Sequence, residues 1–142
     1  MKKRISGLFC GVLLLIMCFT LSSCKGNESS IDLWDSATYT ENTELGEGAK
    51  TVEVEVKAND KSVTFKVNTD KETLGEALLE HKLISGEQGA YGIYIKSVNG
   101  ITADYDTDQS YWSLSKNGEY MMTGADSEKI SGGEHYELTY TK

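Results

Sequence analysis

Val52, Val54 and Val56 alternate with Glu53, Glu55 and Lys57, and Val63, Phe65 and Val67 repeat the pattern after the turn-prone run Ala58-Asn59-Asp60-Lys61. A period of two sends successive side chains to opposite faces, so only extended strands gather these apolar groups on one side. The pair predicts a β-hairpin with one buried face, which commits the chain to a sheet that needs a covering layer. The next segment supplies it. Thr69-Asp70-Lys71-Glu72 matches a capping box, and Leu74, Ala77, Leu78 and His81 then recur at helical spacing until Gly86 can end the run. That spacing predicts one helix of about three turns. Gly75 inside it costs up to about 1 kcal/mol relative to Ala, so the helix must lean on packing against the sheet.

Tyr91 to Ala103 reads as strands around Asn99-Gly100, a dipeptide suited to a two-residue turn with positive φ at both positions. Tyr111 to Ser115 and Tyr120 to Met122 flank a second such turn at Asn117-Gly118. Tyr136, Leu138 and Tyr140 alternate in a terminal strand entered through Ser131-Gly132-Gly133. The order is β, β, α, then several antiparallel strands. The fold class is α+β: small antiparallel sheet(s) with one helix packed on a face, β-grasp-like.

The N-terminus limits how much of the chain takes part. Lys2, Lys3 and Arg4 precede an apolar run from Leu8 to Leu21 that is too short and too near the terminus for a membrane span. Residues 1–23 therefore read as a signal peptide. The run closes on Leu21-Ser22-Ser23-Cys24, which resembles the lipobox of bacterial lipoproteins. That resemblance implies lipidation of Cys24 and an extracytoplasmic chain anchored to the bacterial cell membrane. A diacylglyceryl group brings two acyl chains, enough for stable anchoring. Cys10 and Cys18 leave with the leader, so no thiol remains for a disulfide, a redox motif or a thiolate metal site. Residues 24–50 read as the lipidated cysteine followed by a flexible polar tether, with Trp34 as a lone linker aromatic. The folded domain is then 51–142, about ninety residues with a small core.

Removal of Lys2, Lys3 and Arg4 takes the formal net charge from -8 to -11, because 14 minus 3 leaves 11 Lys+Arg against 22 Asp+Glu. Such a chain repels nucleic acid and anionic headgroups, so neither is an expected partner. His81 and His135 are the only histidines, and neither sits in a catalytic or metal-pair spacing. A non-catalytic protein is expected. Asp104, Asp106 and Asp108 have the spacing that opens a calcium loop, but position six is Gln109 rather than Gly and position twelve is Ser115 rather than Glu. They read as a solvated acidic loop, with no metal site. The C-terminal half is dense in Tyr91, Tyr94, Tyr105, Tyr111, Trp112, Tyr120, Met121, Met122, Tyr136 and Tyr140. Strand alternation lets only half of these face a helix, and the rest suit a platform for an amphipathic ligand or a partner surface.

The stretch Tyr91-Gly92-Ile93-Tyr94-Ile95-Lys96-Ser97-Val98-Asn99-Gly100, with Tyr111-Trp112-Ser113-Leu114, Asn117-Gly118-Glu119-Tyr120, Gly124-Ala125-Asp126 and Gly133-Glu134-His135-Tyr136-Glu137-Leu138, resembles the transcobalamin-like C-terminal domain, also called DUF4430. The resemblance runs from about Thr51 to Lys142 and departs at Gly133-Glu134, where bacterial members often carry Gly-Asp. In the B12 carriers sharing this domain it covers one face of the corrin ring, while a separate helical barrel, absent from this sequence, cups the other. The resemblance implies ligand contacts at Tyr91, Gly92, Trp112, Tyr120, Met121 and Met122. It also implies an amphipathic ligand such as cobalamin or a related corrinoid, with no cofactor required. Because a one-sided platform buries too little of a ligand to hold it tightly, the site would be completed by a transporter subunit or a neighbouring surface protein. The alternative is a cell-surface protein-interaction module without a small-molecule ligand.

Overall fold

A computed structural model describes residues 31–142; the leader, Cys24 and the lipobox lie outside the described residues. The alternating valines form the long strands β2 (Lys50–Ala58) and β3 (Lys61–Thr69), paired antiparallel from Lys50↔Thr69 to Ala58↔Lys61. Val52, Val54, Val56, Val63, Phe65 and Val67 all point inward and are buried, as their period requires. Around them lies a six-stranded sheet in the order β1-β3-β2-β9-β7-β8. Its other members are β1 (Thr43–Leu45), β7 (Tyr111–Lys116), β8 (Glu119–Tyr120) and β9 (His135–Thr141). The sheet is mixed rather than antiparallel. β9 lies parallel to β2, and β1 lies parallel to β3. Parallel neighbours need a crossover connection rather than a tight turn, and both pairs have one: β2 lies between β1 and β3 in the chain, and most of the domain lies between β2 and β9.

The capping box forms one turn later than the sequence pattern predicted. Thr73 and Glu76, not Thr69 and Glu72, exchange the reciprocal bonds that start α1 (Leu74–Glu80). α1 has two turns, not three, and ends at His81, with Lys82 at φ 55. Gly86 does not end the helix. It sits within β4 (Ile84–Gly89), a strand unrecognised in the sequence because its residues after Ile84 are exposed and show no apolar alternation. β4, β5 (Gly92–Val98) and β6 (Ile101–Thr102) make a second, antiparallel three-stranded sheet. Leu74, Ala77 and Leu78 of α1, with Val98 and Ile101 of this sheet, close one core over the inner face of the large sheet. Asn99-Gly100 and Asn117-Gly118 have φ 51, 81, 51 and 82, as two-residue hairpin turns demand.

The tether expected over residues 24–50 is corrected from Ile31 onward. Asp32 caps a 3-10 turn (Leu33–Ser36) that carries Trp34 into the core, where it is 7% exposed and its indole N–H donates to the Ala58 carbonyl at 2.9 Å. Tyr39 and Asn99 exchange two bonds, Tyr39 N–H to Asn99 Oδ1 at 2.9 Å and Asn99 Nδ2 to the Tyr39 carbonyl at 2.8 Å. The chain then adds β1 to the edge of β3. A 3-10 turn and a three-residue edge strand are too short to show a period, so the segment reads as a linker although tertiary contacts order it.

Asp104 caps α2 (Tyr105–Asp108), accepting from the N–H groups of Asp106 and Thr107. Asp108 accepts from the Ser110 hydroxyl and from Lys142, and these donors hold its carboxyl down at about 2. Because this folded value lies below the ordinary one near 4, its stabilising contribution is present above about pH 4 and disappears as pH falls through about 2. Ser110→Ala removes the foremost cause and is expected to return the Asp108 titration toward 4, read by carboxyl-carbon NMR.

Candidate functional site

Two hairpins build a cleft that combines aromatic and thioether side chains. The β4–β5 hairpin turns at Ala90-Tyr91, with Gly89↔Gly92 as its last pair, and the β7–β8 hairpin turns at Asn117-Gly118. Between β5 and β7 lies a cleft of about 390 Å³. Ile93, Ile95, Trp112, Leu114 and Met121 contribute its inner part, each buried or packed against the core. Tyr91, Tyr94, Tyr111, Tyr120 and Met122 form an exposed rim. None of the lining side chains is charged. β7 pairs with β9 along its whole length, but on its other side β8 covers only Ser115 and Lys116, and the Met121 N–H reaches the Leu114 carbonyl at 2.9 Å. The main chain from Tyr111 to Ser113 therefore borders the cleft as an open strand edge.

The cleft wall is fastened from behind by residues that the sequence pattern did not single out as site residues. Asp126 Oδ2 accepts the Ile93 N–H at 3.0 Å and the Gln88 side-chain amide at 3.3 Å, which fixes the start of β5. Its other oxygen lies against α1, where a Cβ added to Gly75 would stand 2.3 Å from it and 3.0 Å from the Asp126 nitrogen. The helix glycine thus exists for close approach, and its propensity cost is offset by packing. Glu128 accepts from the Tyr136 hydroxyl at 2.8 Å and from Lys116, tying the same segment to β9 and β7. Burial together with this carboxylate pushes the Tyr136 phenol far above its ordinary range. Beside Trp112 and Met121, the alternation of Ile93 and Ile95 points in the sequence to the cleft's inner wall, while Asp126 is marked only as part of the Gly124-Ala125-Asp126 motif.

Of the six expected ligand contacts, all line the cleft, but they differ in depth. Tyr91, Tyr120 and Met122 are 94%, 64% and 90% exposed, Gly92 closes the β4–β5 turn, and Met121 is half-buried. Trp112 is the correction. It is an interior residue rather than part of an open shelf, 7% exposed, with its indole N–H spent on the Ile101 carbonyl at 3.2 Å and its ring edge-on to Tyr140. Alternation places residues 112 and 114 on the inner face of β7, and the heavier side chain fills the core there. Neither histidine borders the cleft: His81 caps α1, and His135 lies on the outer sheet face 3.5 Å from Glu53 and 3.6 Å from Glu55. Among the described residues, no three His, Cys, Asp or Glu side chains converge as a metal site.

The comparisons place this architecture. Transcobalamin-1 from Homo sapiens is 34% identical over 56 residues, 39% of this chain and 13% of that protein. Haptocorrin, solved in complex with Cbi, superposes with TM-score 0.53 at 22% identity, covering 69% of this chain and 26% of its own, and so shares the fold. The chain therefore spans only a small part of either protein. A Ruminococcus gnavus protein provisionally described as metal-binding superposes with TM-score 0.63 at 38% identity, covering 66% of this chain and 98% of its own. The family described as "Domain of unknown function (DUF4430)" matches residues 71–142. With half of its length matched by that family and nearly the whole of a 38% identical structure superposed, the chain belongs to the DUF4430 family.

Proposed function

We propose that this chain is a non-catalytic lipoprotein, anchored through Cys24, whose cleft binds an amphipathic small molecule, with a corrinoid such as cobalamin as the leading candidate. The observation that carries the reading is the cleft itself: an apolar inner wall rimmed by tyrosines and a thioether, free of charge, in a strongly acidic chain. Tyr and Met offer apolar bodies with polar or polarisable ends, which suits a flat ligand having both characters. The relatedness to transcobalamin-1 and the fold shared with haptocorrin support a corrinoid. An uncharged lining suits a bare metal ion poorly, whatever the R. gnavus protein binds. At about 390 Å³ the cleft is near the small end of ligand sites and open on one side, so a second protein at the surface completes the enclosure and passes the ligand to uptake machinery.

Titration of the mature chain with cyanocobalamin, followed by the corrin absorbance, tests this. Tyr91→Ala and Met122→Ala are each expected to weaken binding about tenfold, roughly 1.4 kcal/mol, with unchanged unfolding midpoints because both side chains lie in solvent. Absence of binding at millimolar cyanocobalamin would reject the corrinoid and leave the exposed rim as a protein-docking surface.

A further inference from the structure

We infer that Asn117 is a self-modifying site, where attack by the Gly118 nitrogen converts the side-chain amide to an aspartyl or isoaspartyl linkage and so loosens the hairpin that forms one lip of the cleft. The reaction needs only water. The Gly118 nitrogen bonds to Asn117 Cγ, the bond from Cγ to the amide nitrogen breaks, and the Gly118 proton departs with that nitrogen as ammonia. Water then opens the cyclic imide at either carbonyl, which gives aspartate or, when the main-chain carbonyl is the one cleaved, isoaspartate. Glycine in the second place favours this chemistry because no side chain shields its nitrogen.

Two turns carry the dipeptide in one backbone geometry, with φ 51 and 81 at Asn99-Gly100 and φ 51 and 82 at Asn117-Gly118. What surrounds them differs. Asn99 is 1% exposed, its Oδ1 accepts the Tyr39 N–H at 2.9 Å and its Nδ2 donates to the Tyr39 carbonyl at 2.8 Å. The N-terminal strap, residues 31–42, covers that turn: the Thr38 N–H donates to the Asn99 carbonyl at 2.8 Å, and a Cβ on Gly100 would stand 2.4 Å from the Ser36 carbonyl oxygen. The Asn99 amide has no freedom to swing toward the next nitrogen. Asn117 is exposed, no hydrogen bond holds its side chain among the described residues, and a Cβ on Gly118 would meet nothing within 4 Å. Ring closure must also turn the Asn117 carbonyl out of its left-handed geometry. The hairpin tip opens readily for this, since β8 is two residues long and paired at Ser115↔Tyr120 and Lys116↔Glu119.

The consequence falls on the cleft. The isoaspartyl form adds a methylene to the main chain of a two-residue turn, which cannot then keep Lys116 opposite Glu119. Tyr120, Met121 and Met122 follow directly, and the Met121 N–H, bonded to the Leu114 carbonyl at 2.9 Å, seats them on β7. Asn59-Asp60 supplies a comparison: Asn59 is also exposed at a turn, with φ 52, but Asp60 sets a charged side chain beside its own nitrogen.

Purified full-length protein held in mildly alkaline buffer, folded and in urea, then mapped by proteolysis and mass spectrometry, tests the site. In folded protein Asn117 is expected to convert more than about tenfold faster than Asn99, whose two side-chain bonds must break first, and faster than Asn59. In urea Asn99 and Asn117 should convert at similar rates. Conversion of Asn99 or Asn59 as fast as Asn117 in folded protein, or an unchanged Asn117 where the urea sample has converted, overturns the site. Amide exchange at Met121 should quicken in aged protein and keep its starting rate in Asn117→Gly, which retains positive φ but has no amide to lose. Exchange that stays constant in aged wild-type protein overturns the loosening.

Discussion

Trp34→Ala is expected to destabilise the domain by about 3–5 kcal/mol, the range for removing a large buried aromatic. The loss has two parts. The indole leaves a void between the strap and the β2–β3 turn, and the Ala58 carbonyl loses its donor at a site where water has little access. For a domain of this size the unfolding temperature should fall by more than about 10 °C. The contrast that makes the measurement informative is Ile31→Ala, a neighbour 82% exposed, which should shift stability by less than about 0.5 kcal/mol. Equal, negligible shifts for both variants in urea unfolding would show that the strap does not hold the domain in solution.

Gly86→Ala is expected to cost roughly 1–3 kcal/mol by overpacking and to disturb the cleft as well. A Cβ there would stand 1.9 Å from the Tyr94 carbonyl oxygen, 2.8 Å from its carbon and 3.1 Å from the Ile95 Cα. All three are main-chain atoms, so no rotamer change relieves the clash. The pairing register already shifts between Ser85 and Gly86, and the added methyl must push β4 off β5 at that point. Ile95 is part of the cleft's inner wall, so amide exchange should quicken across residues 84–98 alongside the lower midpoint. Wild-type exchange and midpoint in this variant would mean that β5 does not approach Gly86 so closely. Gly75→Ala differs in kind: its clash is chiefly with the Asp126 carboxylate, so the outcome turns on whether that side chain can release the Ile93 N–H.

Tyr120, Met121 and Met122 follow the Asn117-Gly118 turn read in the sequence, whereas Tyr91 and Gly92 reach them through the β4–β5 hairpin, whose first strand carries no apolar alternation. Trp112 did not follow, since alternation gives two faces without saying which one meets the core. Asp126 belongs to the Gly124-Ala125-Asp126 motif but has no periodic signature, so its role appears only when β5 and α1 arrive on either side of it.

The amino-acid sequence by itself determined the inward faces of β2, β3 and β9, the two Asn-Gly turns and the presence of a capped helix. These depend on side-chain period and on φ preferences within a few residues. Tertiary structure alone decided the parallel placement of β9 beside β2, the ordering of the strap by Trp34, the strand identity of residues 84–89 and the depth of Trp112. Each of those outcomes is set by contacts between segments distant along the chain, where burial and hydrogen bonding to remote partners outweigh weak local preference.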